Sequence, residues 1–528
     1  HNALSVQNFT TATDTFNEAV GHEAGAAVTT ATHNTLIGAT AGDALTSGGS
    51  NTVVGRDALS ADTLGSRNIA IGEASLQAQN FTTATEAYNV AVGYAAGAAI
   101  TTGYYNTLIG GSAGDSLTDS DFNVAVGYGA LAADTLGGYN TAVGCYALDA
   151  QNFTTATAGY NAALGYAAGS ANTTGRFNTF LGANSGVANT SASYNTSVGY
   201  AALGTNTTGA ANTAIGNNAL NLNSTANNNT AVGAYTLEDN TTGHSLIAVG
   251  AGALKNNTTG IGSVAIGLDA AMTATTANYN TAIGYDALKD NTAGECVAVG
   301  TSALENNTTG SPNTSVGTNS MAQNTTGASN TAVGYAALQD NTTASNNTAV
   351  GHFAGHSVTT AAQCTFIGTV AGNSTAATTG IYNTGLGYAA LNPVTTGTYN
   401  LGLGGLAGQS ITTGSSNTLV GGYLPGGGLT TGNNNTFIGY ASGYNTTTET
   451  TGGQNTFVGA NSHGSAAGAS GQISIGNDIT CAGDNTFSFG QNSEGVVSNV
   501  YAANASWARG SDVRLKKDIE NNTDCGLA

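Results

Sequence analysis

Charged residues, proline and tryptophan are scarce in this chain. Of its 528 residues, 7% are charged, 3 are proline and 1 is tryptophan, while 77 are glycine. A coiled coil needs far more charged residues and collagen needs glycine at every third position, so both classes are excluded. The sequence contains no run of about 18 apolar residues, and we therefore expect no membrane insertion.

Positive charge is especially scarce. The chain has 9 Lys and Arg residues against 29 Asp and Glu residues, which gives a net charge of −20. Four of the nine basic residues lie in the last 20 positions, namely Arg509, Arg514, Lys516 and Lys517. Because proteins neutralise phosphates with Lys and Arg, this composition predicts no nucleic-acid partner.

Cysteine and histidine give no sign of a metal or cofactor site. The five cysteines are far apart in sequence, and they match neither a disulfide framework nor a metal-ligand spacing. His352 and His356 are four residues apart, but no Glu follows His352, so the zinc-helix pattern is not met. We predict that the protein binds no metal and no cofactor.

A pentapeptide of the form Asn-Thr-Ala-Val-Gly recurs from end to end. Its final residue, called the strand glycine below, occurs 28 times, and 20 of the 27 intervals have the same length as the interval from Gly21 to Gly38. A fixed period of this length indicates a repeat architecture. The strand glycines that we take as representative structural residues are Gly21, Gly38, Gly144, Gly216 and Gly334.

Each repeat predicts one short strand. The residue one before the strand glycine is Val, Ile or Leu in 27 of 28 copies. It lies on the same face of the strand as the residue three before the glycine. Between them lies Ala in half the copies, on a face that another surface approaches closely. We also predict a second short strand after the glycine, for example at residues 335–338.

Asparagine lies four before the strand glycine in 22 of 28 copies. This residue is depleted in ordinary strands, but its side-chain amide can stack on an identical neighbour in the next coil. We therefore predict an asparagine ladder, with Asn140, Asn212 and Asn330 as representative members.

These repeats predict an all-β fold, an elongated parallel β-helix or β-roll solenoid of about 28 coils over residues 1–490. Coils stacked about 4.8 Å apart would form a rod of roughly 130 Å. The two insertions of four residues must bulge at turns, because a shift within a strand would turn its side chains to the wrong face.

A longer period is also present, since the cassette Gln-Asn-Phe-Thr-Thr-Ala-Thr begins at Gln7, Gln79 and Gln151, which are equally spaced. It divides the solenoid into blocks at 7–78, 79–150 and 151 onward, which indicates duplication of four-coil units. In this alignment His1 falls in the middle of a coil, so we expect the natural protein to continue upstream.

The core of such a coil is thin, because few large aliphatic residues are available. We predict that the small-residue Ala face packs against sister chains and that the chain is a homotrimer. Rows of tyrosine, directly after the strand glycine and directly before the Asn, would either fill the groove between chains or stack on sugars, and we favour the first use.

The Asn-Thr-Ala-Val-Gly coils resemble the head repeats of trimeric autotransporter adhesins and the shafts of long, cyanophage-like phage tail fibres. At the C-terminus, residues 511–519 (Ser-Asp-Val-Arg-Leu-Lys-Lys-Asp-Ile) resemble the junction that opens the endosialidase-type intramolecular chaperone of tail fibres and tailspikes. The resemblance implies self-cleavage at Gly510–Ser511, with Ser511 as nucleophile and Lys516 as its activating base. Residues 491–510 would then be a connector and residues 511–528 the start of a truncated chaperone domain.

The resemblance implies a structural and adhesive subunit of a phage tail fibre, located on the virion tail and therefore extracellular. Its partners would be two sister chains, other phage tail proteins upstream, and a host cell-surface glycan or protein receptor. It would not be an enzyme apart from the single self-cleavage.

Two alternatives stay open. One is a bacterial trimeric adhesin head or an extracellular filament subunit. The weaker one is a tailspike depolymerase, which needs paired carboxylates about 5 to 10 Å apart. Its candidate acids are Asp57, Asp62, Glu73, Glu86 and Asp134.

Overall fold

Every copy of the repeat forms one coil of a parallel β-solenoid. The computed structural model describes residues 2–444, 450–491 and 495–500, together with the backbone of 508–509. Each coil consists of a short strand, the strand glycine, a run of tight turns and a bend that leads to the next strand. The predicted all-β solenoid of about 28 coils is confirmed, and the described residues contain no helix.

The chain divides into two units, and the first comprises residues 1–278. It has 15 coil strands in one parallel sheet and two additional two-stranded pairs. Its strands are β1 (Glu18–Val20), β2 (Thr35–Ile37), β3 (Thr52–Val54), β4 (Gly65–Ser66), β5 (Ile69–Ile71), β6 (Thr85–Glu86), β7 (Val90–Val92), β8 (Thr107–Ile109), β9 (Val124–Val126), β10 (Gly137–Gly138), β11 (Thr141–Val143), β12 (Thr157–Ala158), β13 (Ala162–Leu164), β14 (Thr179–Leu181), β15 (Thr196–Val198), β16 (Thr213–Ile215), β17 (Thr230–Val232), β18 (Ile247–Val249) and β19 (Val264–Ile266).

The second unit comprises residues 279–528. It has 13 parallel coil strands, followed by β33 and β34, which pair antiparallel to their neighbours. Its strands are β20 (Thr281–Ile283), β21 (Val297–Val299), β22 (Asn313–Val316), β23 (Asn330–Val333), β24 (Thr348–Val350), β25 (Thr365–Ile367), β26 (Thr384–Leu386), β27 (Leu401–Gly405), β28 (Thr418–Tyr423), β29 (Thr436–Ile438), β30 (Thr456–Val458), β31 (Ile473–Asn477), β32 (Thr486–Gln491), β33 (Val497–Val500) and β34 (Ala508–Arg509).

The four-residue insertions leave the strand register unchanged. Across the first insertion β5 pairs with β7, with Ile69 opposite Val90 and Ile71 opposite Val92. The additional residues lie in the bend, where β6 pairs with β4. This confirms the prediction that insertions bulge at turns, since the alternation of side chains fixes the register.

The strands point inward with the face that we predicted to point outward, toward sister chains. The residue two before the strand glycine points into the interior of its own coil, as Ala142 and Ala214 do with no exposed surface. The predicted packing of this Ala face against sister chains is therefore wrong. A β-solenoid coil closes around its own interior, and that interior is narrow enough for only small residues at this position.

The segment after the strand glycine is a chain of turns. In residues 335–338 both Ala336 and Leu338 have left-handed φ angles, of 52° and 49°. The predicted second short strand is wrong here, because alternating left-handed residues bend the backbone instead of extending it. These turns place Ala337 and Leu338 in the buried core.

Side-chain sizes in the core are matched between strand and turn. A common combination is Ala two before the strand glycine with Leu four after it, as with Ala214 and Leu220. Where the strand residue is Phe180 instead, the turn residues facing it are Gly169 and Gly186. A Cβ atom on either glycine would lie 2.5 or 2.3 Å from the Phe180 ring. In this coil the large strand residue is therefore matched by glycine at both facing turns.

Candidate functional site

The predicted ladder asparagines lie in the interior, beside the strands. Asn212 is representative: its backbone N–H donates to Oδ1 of Asn195 at 2.9 Å, and its own Oδ1 accepts the N–H of Asn229 at 3.0 Å. The Nδ2 group of Asn212 donates to the Ala226 carbonyl at 2.8 Å. Each side chain thus joins its coil to the next through backbone groups. At some positions the side-chain amides also bond to each other, as where Nδ2 of Asn140 donates to Oδ1 of Asn123 at 3.3 Å.

Asn140 and Asn330 occupy equivalent positions. The backbone N–H of Asn140 donates to Oδ1 of Asn123 at 3.0 Å. In the second unit, Asn330 donates from its N–H to Oδ1 of Asn313 at 2.9 Å and from Nδ2 to the Ala344 carbonyl at 2.8 Å. All three predicted asparagines are buried and serve the stacking of coils.

Sequence reasoning missed a second asparagine ladder, nine or ten residues before the strand glycine. In it, each Asn that follows another member by one coil donates from Nδ2 to Oδ1 of that member, at 2.6 to 3.0 Å. Its members are Asn172, Asn189, Asn206, Asn223, Asn240 and Asn257 in the first unit and Asn291, Asn307, Asn324 and Asn341 in the second. The recurring Asn-Thr-Thr-Gly turn carried this signal, but it suggested only local turn chemistry.

Two cysteines replace asparagine in the first ladder. Sγ of Cys296 donates to the Gly310 carbonyl and Sγ of Cys364 to the Gly380 carbonyl, both at 3.4 Å. Burial raises the pKa of the Cys296 thiol, and it raises the pKa of Cys364 to about 11. Both thiols therefore stay protonated at neutral pH, which suits a structural donor and not a nucleophile.

The strand glycines form a row in which successive backbones are in close contact. At Gly216 the φ angle is 142°, and a Cβ atom would lie 2.3 Å from the carbonyl oxygen of Gly233. The same approach, to the next strand glycine in the row, occurs at Gly21, Gly38, Gly144 and Gly334. A side chain is excluded at these positions both by the backbone conformation and by the neighbouring coil.

An apolar surface, called the outward strand face, covers the side of the sheet opposite to the core. It consists of the residues three and one before each strand glycine, for example Thr213 and Ile215. Residues one before the glycine are at least one third exposed in many coils, namely Val20, Ile37, Ile71, Ile109, Leu164, Leu181, Ile215 and Ile266 in the first unit and Ile283, Val333, Val350, Ile367, Leu403, Ile438, Ile475 and Phe489 in the second. Aliphatic side chains in such rows favour an interaction surface.

Seven aromatic rings of the first unit form a continuous stack at the position five before the strand glycine. Neighbouring ring centroids are 5.0 to 5.6 Å apart with interplanar angles of 10° to 28°. The rings belong to Tyr88, Tyr105, Phe122, Tyr139, Tyr160, Phe177 and Tyr194. Arg67 lies over Tyr88 at 5.5 Å. Because the inner rings cover each other's faces, they present edges to solvent, which does not suit stacking on sugars.

An open cleft of about 400 Å³ lies among the turns of the second unit. It is called the turn cleft below and is lined by Asp340, Phe353, His356, Ser357, Thr359, Asn373, Ser374, Thr375, Ala376 and Ala377. Nδ1 of His356 lies 3.5 Å from Oδ2 of Asp340, and the His356 and Phe353 rings meet edge to face at 5.1 Å. All of these lining residues lie outside the strands.

The candidate catalytic acids have structural partners. Arg56 pairs with both Asp57 and Glu73, and Nε of Arg67 lies 3.1 Å from Oε1 of Glu86. These contacts join neighbouring turns on the surface.

The two remaining acids, Asp62 and Asp134, are buried in the bends that precede the insertions. Asp62 accepts bonds from Nε2 of Gln79 at 2.7 Å and from the N–H groups of Gly65 at 3.0 Å and Phe81 at 3.2 Å. Asp134 makes the same contacts in the next block. Burial raises the pKa of both carboxyls above 3.8.

The histidines are dispersed among aromatic and acidic neighbours. The His352 ring stacks on Tyr335 at 5.4 Å, while His356 faces Asp340. Within the described ranges, no three His, Cys, Asp or Glu side chains are grouped so as to hold a metal ion.

The predicted cleavage junction, with Gly510, Ser511 and Lys516, lies outside the described residues. In the part of the chain that the structure describes, no helix has the length and apolar character needed to cross a membrane. Comparison of the sequence with protein-family models and with curated proteins gave no match.

Proposed function

We propose that the chain is the structural and adhesive subunit of a homotrimeric phage tail fibre that attaches to a host cell surface. The observation that supports this most is the outward strand face. Its Val, Ile and Leu side chains recur in nearly every coil, and a monomer rarely leaves such a contiguous apolar surface in water. Two sister copies of the same chain, with the same coil spacing, would cover it in register.

The trimer in this proposal therefore uses a different face from the one that the sequence suggested. Where Ala is the central strand residue it lies in the interior of its coil. The outward strand face, with Val, Ile or Leu after the central residue and most often Thr before it, is available for sister chains. Burial of apolar area stabilises association by about 25 cal/mol per Å² before its costs are subtracted. A row of such side chains along many coils supplies a large total area.

The structural partners of the candidate groups favour a structural role over an enzymatic one. The candidate acids are paired or buried, and the two ladder thiols stay protonated. The net charge of −20 per chain also favours a soluble surface outside the interface. Maturation would follow from the Ser511 to Ile519 segment by cleavage at Gly510–Ser511, and the fibre would reside on the virion tail.

Sedimentation velocity of the purified chain tests the oligomer. We expect a species of three times the 51.7 kDa chain mass. Replacing Ile215 and Val232 by Asp on the outward strand face should dissociate it, while Asn217→Asp on an exposed turn should not. A monomeric wild-type chain would exclude the trimeric fibre.

Cleavage is tested separately on a chain extended through the complete native C-terminus. Mass spectrometry should find a product ending at Gly510, and Ser511→Ala should remain uncut. If both stay intact, the bacterial adhesin head becomes the better proposal, because it shares the repeat and the trimer but lacks this maturation step. Binding of the trimer to host cells then tests attachment itself.

A further inference from the structure

We propose that the turn cleft binds one pyranose unit of a neutral glycan. This inference deepens the proposed attachment function, and its biological role rests on that function. The cleft volume of about 400 Å³ lies within the usual range for small-ligand sites, roughly 300 to 1,000 Å³. Its lining combines one aromatic ring with a carboxylate, an imidazole, an amide and several hydroxyls.

The cleft arises from a local departure from the repeat. The interval from Gly368 to Gly387 is longer by two positions than the common period, and the added length lies in the turn at 373–377. One coil earlier, Val358 stands where the preceding coils have the second-ladder asparagine, which ends at Asn341. The longer turn therefore forms one wall of the cleft, beside a coil that lacks the second-ladder hydrogen bond between asparagines.

Hydrogen bonds fix the wall in place. Oγ of Ser357 donates to the Ser374 carbonyl, while the Ser374 N–H donates back to Ser357 Oγ at 3.3 Å. The Ala376 N–H donates to Ser374 Oγ at 3.2 Å, and Oγ1 of buried Thr378 donates to the Val394 carbonyl at 3.0 Å. A lining that is ordered before binding lowers the entropic cost of holding a ligand.

The polar groups provide both acceptors and donors. The Asp340 carboxylate accepts hydrogen bonds only, and His356, 3.5 Å from it, is oriented by this contact. Oδ1 of Asn373 lies 3.2 Å from Ser357 Oγ, and the Asn373 side-chain amide carries both a donor and an acceptor for the cleft. Adjacent hydroxyls of a pyranose offer the complementary set of donors and acceptors.

The aromatic ring of the cleft provides a contact surface for the apolar face of the ligand. Phe353 lines the cleft and is held edge to face by Tyr335 at 5.3 Å and by His356 at 5.1 Å. A pyranose has one face of C–H groups and a rim of hydroxyls, so it suits a site with one ring among polar groups. A wholly apolar ligand would displace water from Asp340 and Asn373 without offering them new hydrogen bonds, at a cost in affinity.

Charge favours a neutral sugar over an acidic one. Asp340 is the only Asp, Glu, Lys or Arg residue in the lining, so the cleft holds a carboxylate and no Lys or Arg side chain to bind a carboxylate or phosphate ligand. The net charge of −20 further disfavours anionic ligands.

Saturation-transfer NMR on the full chain tests the site. The probes are the methyl pyranosides of glucose, galactose, mannose, rhamnose and N-acetylglucosamine, with N-acetylneuraminic acid as the acidic comparison. Asp340→Asn removes the carboxylate, and Ala376→Trp fills the cleft from its exposed wall. Asp290→Asn is the matched control. Asp290 lies six residues after its strand glycine, the same position in the coil as Asp340, and it is exposed.

We expect signals from at least one neutral pyranoside with the wild type and with Asp290→Asn, and affinity weaker by about tenfold or more with Asp340→Asn and Ala376→Trp. The proposal is wrong if no neutral pyranoside binds, or if both cleft variants bind as the wild type does. Adsorption of the same proteins to host cells separates the two ideas. If both cleft variants still bind cells, attachment is supported but uses another part of the chain. If the protein binds the sugar but not the cells, the sugar site is supported and the attachment function is refuted.

Discussion

Oδ1 of Asn195 accepts a hydrogen bond from the backbone N–H of Asn212 at 2.9 Å, one coil further along the chain. The N–H of Asn212 precedes a strand, where a three-residue ladder alone would leave it without a partner. The amide of Asn195 thus extends the hydrogen bonding of each short strand by one residue. Because Nδ2 of the same residue also donates to the Gly209 carbonyl at 2.8 Å, the side chain satisfies two buried backbone groups.

Asn212→Ala tests this account of the ladder. It would leave the Asn229 N–H buried without this partner, while the Ala226 carbonyl would keep its bond from Nδ2 of Asn223 at 3.1 Å. One unsatisfied buried group costs about 1–3 kcal/mol, so we expect a loss of this size in the free energy of unfolding. Urea unfolding measures the loss, with the exposed Asn217→Ala as control. Equal stability of the two variants would show that water replaces the side chain.

Gly110→Ala and its neighbour Gly111→Ala form a matched pair for the strand-glycine row. At Gly110 the φ angle is 134° and a Cβ atom would lie 2.5 Å from the Gly127 oxygen. At Gly111 a Cβ atom makes only ordinary contacts, 3.4 Å from the Tyr128 ring. We expect Gly110→Ala to cost about 1–3 kcal/mol or more in thermal unfolding and Gly111→Ala to cost little. Similar melting temperatures would contradict the close approach of coils.

The period of the strand glycine was sufficient to predict the fold. A glycine that recurs at a constant interval, with Val before it and Asn four before it, admits few arrangements other than stacked coils. The orientation of the strand was harder to predict, because both faces carry small or aliphatic residues. Alternation separates Ala214 from Ile215 but does not say which of them faces the core.

The turns could not be predicted from local propensity. Leu220 and Ala336 have left-handed φ angles of 51° and 52°, which L-residues rarely adopt. Coil-to-coil hydrogen bonds, such as Leu220 N–H to the Thr236 carbonyl at 3.0 Å, hold them there. The turn cleft was missed for a related reason: Asp340, Phe353 and Asn373 belong to three successive coils and meet only once the coils stack.

Asp62→Asn should change the pH dependence of stability. Burial raises the pKa of this carboxyl above 3.8, so its favourable contribution is complete below pH 3.8 and is lost as the pH rises through the raised pKa. Within that window the wild type should lose up to about 1.4 kcal/mol per pH unit relative to Asp62→Asn.

Urea unfolding at a series of pH values above 3.8 measures this difference. The variant also has weaker hydrogen bonds with Gln79 and two backbone N–H groups. This lowers its stability by a constant amount but, to first order, does not change the slope of the free energy of unfolding against pH. Asp14→Asn, at an exposed position, controls for removal of one negative charge. Parallel pH profiles for the wild type and Asp62→Asn would show that the carboxyl titrates normally.

Phe180 and Gly186 provide a test of size matching in the core. A Cβ atom on Gly186 would lie 2.3 Å from the Phe180 ring, yet the equivalent turn position one coil later is Leu203, at a φ angle of 53° close to the 58° of Gly186. The backbone conformation therefore accepts Leu, and only the phenyl ring excludes it. Phe180→Ala alone should cost about 3–5 kcal/mol through the cavity it leaves. Gly186→Leu alone should be strongly destabilising through overlap with the ring.

The two changes together convert this coil to the common Ala and Leu combination. We expect the double variant to be more stable than the sum of the single losses predicts, by about 1–3 kcal/mol in a double-mutant cycle measured by urea unfolding. Phe180→Ala combined with Gly111→Ala is the control pair, because a Cβ atom at Gly111 would contact only the Tyr128 ring. For this pair the losses in the free energy of unfolding should add. Additivity of the Phe180 and Gly186 changes would mean that the interior of a coil relaxes around either residue. In that case the glycines facing Phe180 would have to be explained by the left-handed turn alone, which Leu203 already argues against.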